Sequence, residues 1–402
     1  MQELPSALDI GMAAERLGET RAMTMLEGIR IIDLTSVIFG PYATQMLADM
    51  GAEVIKVESP IGDMIRYLGS SRTDPTMGSI HMTVNRGKKS LLLDLKNSED
   101  ADKLRSLIPT ADVFFHNIRA NAIDRLGFGQ AAVRALNSEV IYVHAVGFGQ
   151  NGPYADLQAY DDVIQAATGT TSLLPMVDGD PRPRYFPSLI ADKVSGLYGA
   201  QAILAAIVHK LRTGKGQNVE VPMFECFTNF MLEEHLRDQV FVPPIGPFGY
   251  PRQLDPERQP FPTADGYISI VPYTEQSMVD LMDLFGVPEL LEEERFKSRP
   301  ARMANISQLY AEIAKLTPSR TTAEWLALMA ENEIPAMVAR GLDDIFNDPH
   351  LQATNFFRQR THPTEGEYRE MAPPIRFSAD PNRELGVAPR LGEHNEAVFG
   401  KG

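Results

Sequence analysis

Cysteine is all but missing from this chain: Cys226 is the only one in 402 residues. That excludes an intrachain disulfide framework and any cysteine-based zinc site, and it fits a reducing, cytoplasmic compartment. Basic charge is also short, with 38 Lys and Arg against 53 Asp and Glu and a formal charge of -15. Nucleic acid is therefore excluded as a partner, because phosphate binding needs a net basic face, and any anionic ligand must be held by a local basic cluster. Long apolar runs are lacking too. The longest, around Gly196 to Val208, contains Gln201 and is too short to cross a bilayer, so no membrane segment is expected. The opening MQELPSALDIGMAAERLGETRAM carries charges throughout and no apolar core; it reads as a short amphipathic helix or loose extension, not a signal peptide. There is no Gly-x-Ser-x-Gly elbow, no Walker loop and no internal repeat. The eight histidines show no metal-ligand spacing, so no metal is expected and satisfied core or surface roles are their default.

What is present is a pattern of alternating strands and helices. A hydrophobic content of 44% over this length supports two domains with sizeable cores. From Gly28, IRIIDL reads as a strand, TSVIFGP as a turn, YATQMLADM as a helix and AEVIKVE as a strand. LLLDL at 91–95, a helix over 98–108, ADVFFHN at 111–117 and the strand VIYVHAV at 140–146 continue the pattern. Such units predict an α/β doubly wound parallel sheet. YDDVIQAATG is helical, and the Pro- and Gly-rich passage through PMVDGDPRPRYFPS is expected to hold no lasting element. DKVSGLYGAQAILAAIVHKLRT is a long apolar helix ended by Gly214, QNVEVPM is a strand, and the next helix runs to about Arg237. After the Pro-rich 240–262 stretch comes a smaller α+β domain, with GYISIVP a strand, helices at 275–285 and 303–316, TTAEWLALMAEN a capped helix and IPAMVAR a strand. The expected division is an extension over 1–25, a large domain over 26–237, a linker and small domain over 238–373, and a tail over 374–402 with a short helix at EHNEAVF.

Each candidate motif has a bland alternative. GFGQNG at 147–152 matches a dinucleotide fingerprint, but Pro153 follows at once and no helix opens on it, so a nicotinamide site is rejected in favour of a flexible glycine loop. NRGKKSLLLDLK gathers Arg86, Lys88, Lys89 and Lys96; read alone it is a solvated charged face, and at the carboxyl edge of a parallel sheet it is a phosphate site. Asn117, Arg119 and Arg125 lie at or just beyond the end of the 111–117 strand. Asp192, after FPSLIA, reads as an N-cap worth about 1 kcal/mol. Placed there, the helix dipole is expected to keep it ionised and hence nucleophilic.

These stretches in this order carry a resemblance. LEGIRIIDLT followed by GPYATQMLADMGAEVIKVE, then GDMIR, NRGKKSLLLDLK, IDRLGF, GFGQNGPY with AYDDVIQAATG, the IADKVSGLYGAQAILAAI helix, GKGQNVEVPMFE and LGEHNEAV resemble the class III CoA-transferases, the CaiB/BaiF group of formyl-CoA transferase and L-carnitine CoA-transferase, from about Leu26 onward. The resemblance implies that Asp192 is the catalytic carboxylate, acylated in turn as an anhydride and a CoA thioester, with Tyr160 an active-site tyrosine. Leu93, Lys96, Asn117 and Arg125, with Arg119 beside them, would meet the adenosine and phosphates of CoA. The loop from Ser36 to Ile38 and Met223 would lie near pantetheine and thioester, and amides of the glycine loop, Gly149 among them, would hold the oxyanion. Coenzyme A and acyl-CoA enter as substrates with small carboxylic acids, and no tightly bound cofactor is implied. The family fold implies a tail returning to the large domain and an interlocked homodimer. Ser59, Ile38 and Gln158 depart from formyl-CoA transferase, which leaves donor and acceptor open.

Two rivals differ in mechanism. An α-methylacyl-CoA racemase shares this fold but places a histidine where AYDD has Tyr160, and a phenol titrating near 10 is a poor base at neutral pH. A CoA-binding protein without catalysis would have no use for a carboxylate at position 192.

Overall fold

The computed structural model describes residues 24–380 and 384–400; the extension over 1–25 lies almost wholly outside them. The chain divides into two compact units. The first comprises residues up to Ile164, Leu189–Phe227 and the chain from Asn355; the second comprises Gln165–Ser188 and Thr228–Thr354.

Six parallel strands organise the first unit: β1 (Arg30–Leu34), β2 (Glu53–Glu58), β3 (Lys89–Leu92), β4 (Val113–His116), β5 (Ile141–Val146) and β6 (Asn218–Pro222). Their order is β3-β2-β1-β4-β5-β6, the doubly wound arrangement the alternating pattern predicts. The central strands are apolar on both faces because helices cover both: Ile31, Ile32, Phe114, Phe115 and Val143 are all fully buried. The order reverses between β1 and β4, and in open parallel sheets ligands are held at the carboxyl ends of the strands at such a reversal.

The Ile190–Thr213 helix is 24 residues long and ends at Gly214, whose φ of 71° is the left-handed stop that glycine takes without strain. It is longer than its most apolar stretch, and by length and composition alone it is able to cross a membrane. Here Ala191, Val194, Ala200, Ile203, Ala206 and Ile207 are buried in protein. It packs on the Phe39–Asp49 helix, and Gly196 sets the separation: a Cβ there would lie 2.9 Å from the Phe39 carbonyl oxygen.

The chain from Asn355 belongs with this sheet, earlier than the expected boundary at 374. The cause is a hairpin the sequence pattern did not reveal, β10 (Phe357–His362) and β11 (Gly366–Met371), after three short strands of the second unit. At its turn the Glu365 carboxylate accepts the amides of Arg72, Thr73 and Asp74 at 2.6, 3.0 and 2.9 Å. The Asn395 side chain then bonds Leu92 both ways, at 2.9 Å each, and so covers the open edge of β3.

The second unit holds a three-stranded antiparallel sheet of β7 (Phe261–Pro262), β8 (Tyr267–Ile270) and β9 (Ala336–Val338). Its core is built on Trp325, Phe296, Leu281, Leu309 and Ile313. Reciprocal capping boxes at Thr274 with Ser277 and Thr321 with Glu324 open two of its helices. The helix expected over 303–316 is two, Arg299–Ala304 and Ile306–Leu316, because Asn305 turns its side-chain amide back onto the carbonyls of Ala301 and Arg295. The passage expected to be irregular contains a short helix, Leu173–Asp178, stopped by Gly179 at φ 78°.

The first unit also holds a set of buried charges. Arg66 grips Glu58 with two nitrogens at 2.7 and 2.6 Å, Lys56 meets Asp63 at 2.9 Å, and Lys88 stands 3.7 Å from Asp33. Burial by itself would raise the Glu58 carboxyl, but the hydrogen bonds from Arg66 and the charges of Lys56 and Arg66 outweigh it and hold the pKa at about 2. Since the folded value lies below the usual 4.5, Glu58 stabilises the fold above pH 4.5, and that stability is lost as pH falls from there towards 2. Arg66→Met, which strands Glu58 without its partner, is expected to cost about 3–5 kcal/mol by urea unfolding at pH 7, with the difference narrowing below pH 4.

Candidate active site

The turn after β1 lies at the reversal of strand order. Asn117, just past β4, accepts the Ser36 amide at 3.1 Å and donates to the Ser36 carbonyl at 3.0 Å, tying the two strands together where the sheet order reverses. Val37 has φ 70°, a left-handed conformation that costs a β-branched residue about 1–3 kcal/mol. Its amide is held by Asp63 at 3.0 Å, while Lys56 bonds both Asp63 and the Thr35 carbonyl, at 2.9 and 2.7 Å. The buried ions thus lock a strained turn that ends in Ile38, itself buried, and Phe39.

Phe39 opens its helix, and its amide lies towards the carboxylate of Asp192 and favours the charged form. The close glycine packing at Gly196 brings the two helices near enough for that approach. Asp192 is not the N-cap; that position is Leu189, without a side-chain cap, and Asp192 is the third residue of the first turn. Its own amide donates 3.0 Å to Asp161. The expectation that the helix dipole keeps Asp192 ionised is corrected by its burial. With 7% of its surface exposed, desolvation and then the negative charge of Asp161 raise its pKa from 3.8 to about 7, against the lowering effect of the Phe39 amide. No motif in the sequence pointed to Asp161 or Phe39 as neighbours of Asp192.

The remaining candidates are placed less uniformly. Tyr160 adjoins Asp161 and is 56% exposed. Met223 is buried at the start of the helix after β6. Arg119, Arg125 and Lys96 are exposed on the carboxyl side of β4 and β3. Leu93 is buried and its amide bonds the Glu58 carbonyl at 2.8 Å. The Gly149 amide, an expected oxyanion donor, is already bound by both oxygens of Glu225 at 3.0 and 3.2 Å. The next amide, of Gln150, bonds Glu220 at 3.1 Å. Neither reading of the basic run fits most of it. Arg86 grips Asp49 at 2.9 and 2.5 Å, Lys88 is buried among Pro41, Thr44 and Asn85, and Lys89 pairs with Glu53. One histidine departs from its default as well. His116 and His144 stack at 4.3 Å and share the Ile118 carbonyl, leaving Nε2 of the buried His116 without a partner. Burial pushes the His116 ring down to about 3, so it stays neutral. Among the described residues no group of His, Cys, Asp and Glu is arranged to hold a metal.

A family model, CoA-transferase family III, matches residues 26–395. The chain belongs to that family. It is a CoA-transferase, and its substrates are CoA thioesters and carboxylic acids. The succinate--glutarate CoA-transferase of Agrobacterium fabrum is 32% identical over 387 residues, covering 93% of this chain and 94% of that protein. A formyl-CoA:oxalate CoA-transferase of Shigella sonnei is 31% identical over 404 residues, covering 94% and 95%. Among solved structures, that of Rv3272 from Mycobacterium tuberculosis superposes with a TM-score of 0.81 at 30% identity, covering 94% of the transferase and 99% of that chain.

The ionised form of Asp192 is costly to the transferase. Its folded pKa of about 7 lies above the unfolded 3.8, so stability falls as pH rises between those values. Asp192→Asn retains an acceptor for the Phe39 amide and removes the charge. Thermal melting at pH 8 should show the variant more stable by a few kcal/mol, at most about 4, with the advantage gone near pH 4.

Proposed function

We propose that this transferase works through Asp192 as a covalent carrier, exchanging CoA between small dicarboxylic acids. The observation that carries the reading is a titratable carboxylate buried where the Ile190–Thr213 helix packs on the Phe39–Asp49 helix, which follows the turn held by Ser36 and Asn117 at the reversal of strand order. Succinate, glutarate and oxalate stand in the names of its relatives and supply the substrate class.

The steps balance without an added reagent. An Asp192 oxygen attacks the thioester carbonyl, the C–S bond breaks, and CoA leaves as thiolate from a mixed anhydride. The thiolate attacks the aspartyl carbonyl, the aspartyl C–O bond breaks, and the donor leaves as carboxylate. The acceptor carboxylate attacks the resulting aspartyl-CoA thioester and expels the thiolate. The thiolate then attacks the acceptor carbonyl of the new anhydride and releases the acyl-CoA and free Asp192. For a carboxylate of pKa about 4 expelling a thiolate of pKa 8.5, the first step is uphill by roughly 6 kcal/mol. Raising the carboxylate to about 7 narrows the gap to roughly 2 kcal/mol, because acylation relieves a charge that burial disfavours. Holding the thiolate in place, worth roughly 7–11 kcal/mol in effective molarity, covers the rest.

CoA would lie across the reversal of strand order, its phosphates towards Lys96, Arg119 and Arg125 and its thioester towards Met223. An oxyanion role for Gly149 requires Glu225 to release the amide. The exposed apolar side chains Leu197, Val208 and Leu211 on the Ile190–Thr213 helix support a homodimer. The scarcity of cysteine supports a cytoplasmic setting. A tyrosine at position 160 continues to disfavour the racemase.

Incubation with succinyl-CoA followed by hydroxylamine should give a hydroxamate on the peptide containing Asp192. An unmodified peptide together with full activity in Asp192→Ala would refute the carrier role. The rate of acylation in single turnover should rise with pH through an inflection near 7, and Asp161→Asn should move that inflection to lower pH.

A further inference from the structure

Outside the Asp192 site, the second unit contains a cavity of about 430 Å³ whose lining the transfer chemistry does not use. Four arginines reach it from two parts of the sequence: Arg252 and Arg258 from the Pro-rich stretch before β7, and Arg299 and Arg302 from the Arg299–Ala304 helix. Its only acidic lining residue is Glu275, and that carboxylate is taken by Arg302, which also donates to the Phe296 carbonyl at 2.9 Å. Arg302 is buried and serves the fold.

The other three have no carboxylate partner among the described residues. Arg252 donates to the Tyr310 hydroxyl at 3.1 Å and lies 5.6 Å over the ring of Tyr273. Arg258 donates to the neutral Gln253 side chain at 2.8 Å, and Arg299 is exposed with no hydrogen bond or ion pair among the described residues. In a chain of net charge -15, three guanidinium groups without a carboxylate partner at one cavity are out of keeping. Like charges gathered in this way repel unless an anion joins them, and the planar guanidinium fork matches carboxylate and phosphate oxygens. Stacking and hydroxyl contacts from the tyrosines leave Arg252 further donors to turn towards a ligand. The volume suits a small organic molecule.

We propose that this cavity binds a small organic anion carrying two or more carboxylate or phosphate groups. The inference goes beyond the thioester chemistry and does not depend on it, since none of the cavity residues belongs to the Asp192 site.

Calorimetric titration of the full chain at low ionic strength, with glutarate in one arm and adenosine 3′,5′-bisphosphate in the other, tests it. The reference is the double variant Arg258→Gln, Arg299→Gln, both exposed and neither part of the core, with its fold checked by thermal melting. The expected result is a binding event weakened at least about tenfold in the double variant and by added salt. Loss confined to glutarate identifies a carboxylate ligand, and loss confined to the nucleotide a phosphate one. Isotherms of both ligands unchanged in the double variant, or no binding of either up to about 10 mM, overturn the proposal. The same loss on adding Arg258→Gln and Arg299→Gln is expected in an Asp192→Asn background, so a failed hydroxylamine trap leaves this result standing.

Discussion

The turn after β1 in this CoA-transferase depends on buried charges. Lys56, Asp63, Asp33 and Lys88 are buried beneath the turn after β1, and two of them grip its backbone, Lys56 through the Thr35 carbonyl and Asp63 through the Val37 amide. A buried pair seldom adds net stability over a hydrophobic replacement. What it supplies here is geometry: a β-branched residue held in the left-handed region, with the next helix aimed so that its first amide faces Asp192.

From that constraint the electrostatics of Asp192 follow. A carboxylate at a helix N-terminus would ordinarily be held low in pKa. Burial between two helices that meet through Gly196, with Asp161 alongside, reverses the sign. The fold therefore carries a carboxylate whose charged form costs stability. The Glu58–Arg66 pair, with both partners present, is the opposite case, its charged form favoured by the fold.

The two units divide the charged residues differently. In the first, arginine and lysine from the NRGKK run are consumed by Asp49, Asp33 and Glu53 and serve the architecture. In the second, arginines of no recognisable motif converge on a cavity with tyrosines and one acid. Spacing along the chain does not distinguish these two clusters, because side-chain pairing across strands is invisible to it.

Strand and helix periodicity, with the Gly214 stop and the capping box at Thr321, settled the parallel sheet and most elements from sequence, because each depends on neighbours three or four residues away. The order of motifs from Leu26 to Val398 settled the family in the same way. Tertiary structure alone decided the rest. It set Asn117 against Ser36 across 81 residues, gave the Gly149 amide to Glu225, and folded the β10–β11 hairpin onto the first unit through Glu365. It also raised the pKa of Asp192, since desolvation and the charge of Asp161 exist only once distant segments are packed together. Local pattern encodes which face of an element is apolar; the environment of one carboxylate is a property of everything folded around it.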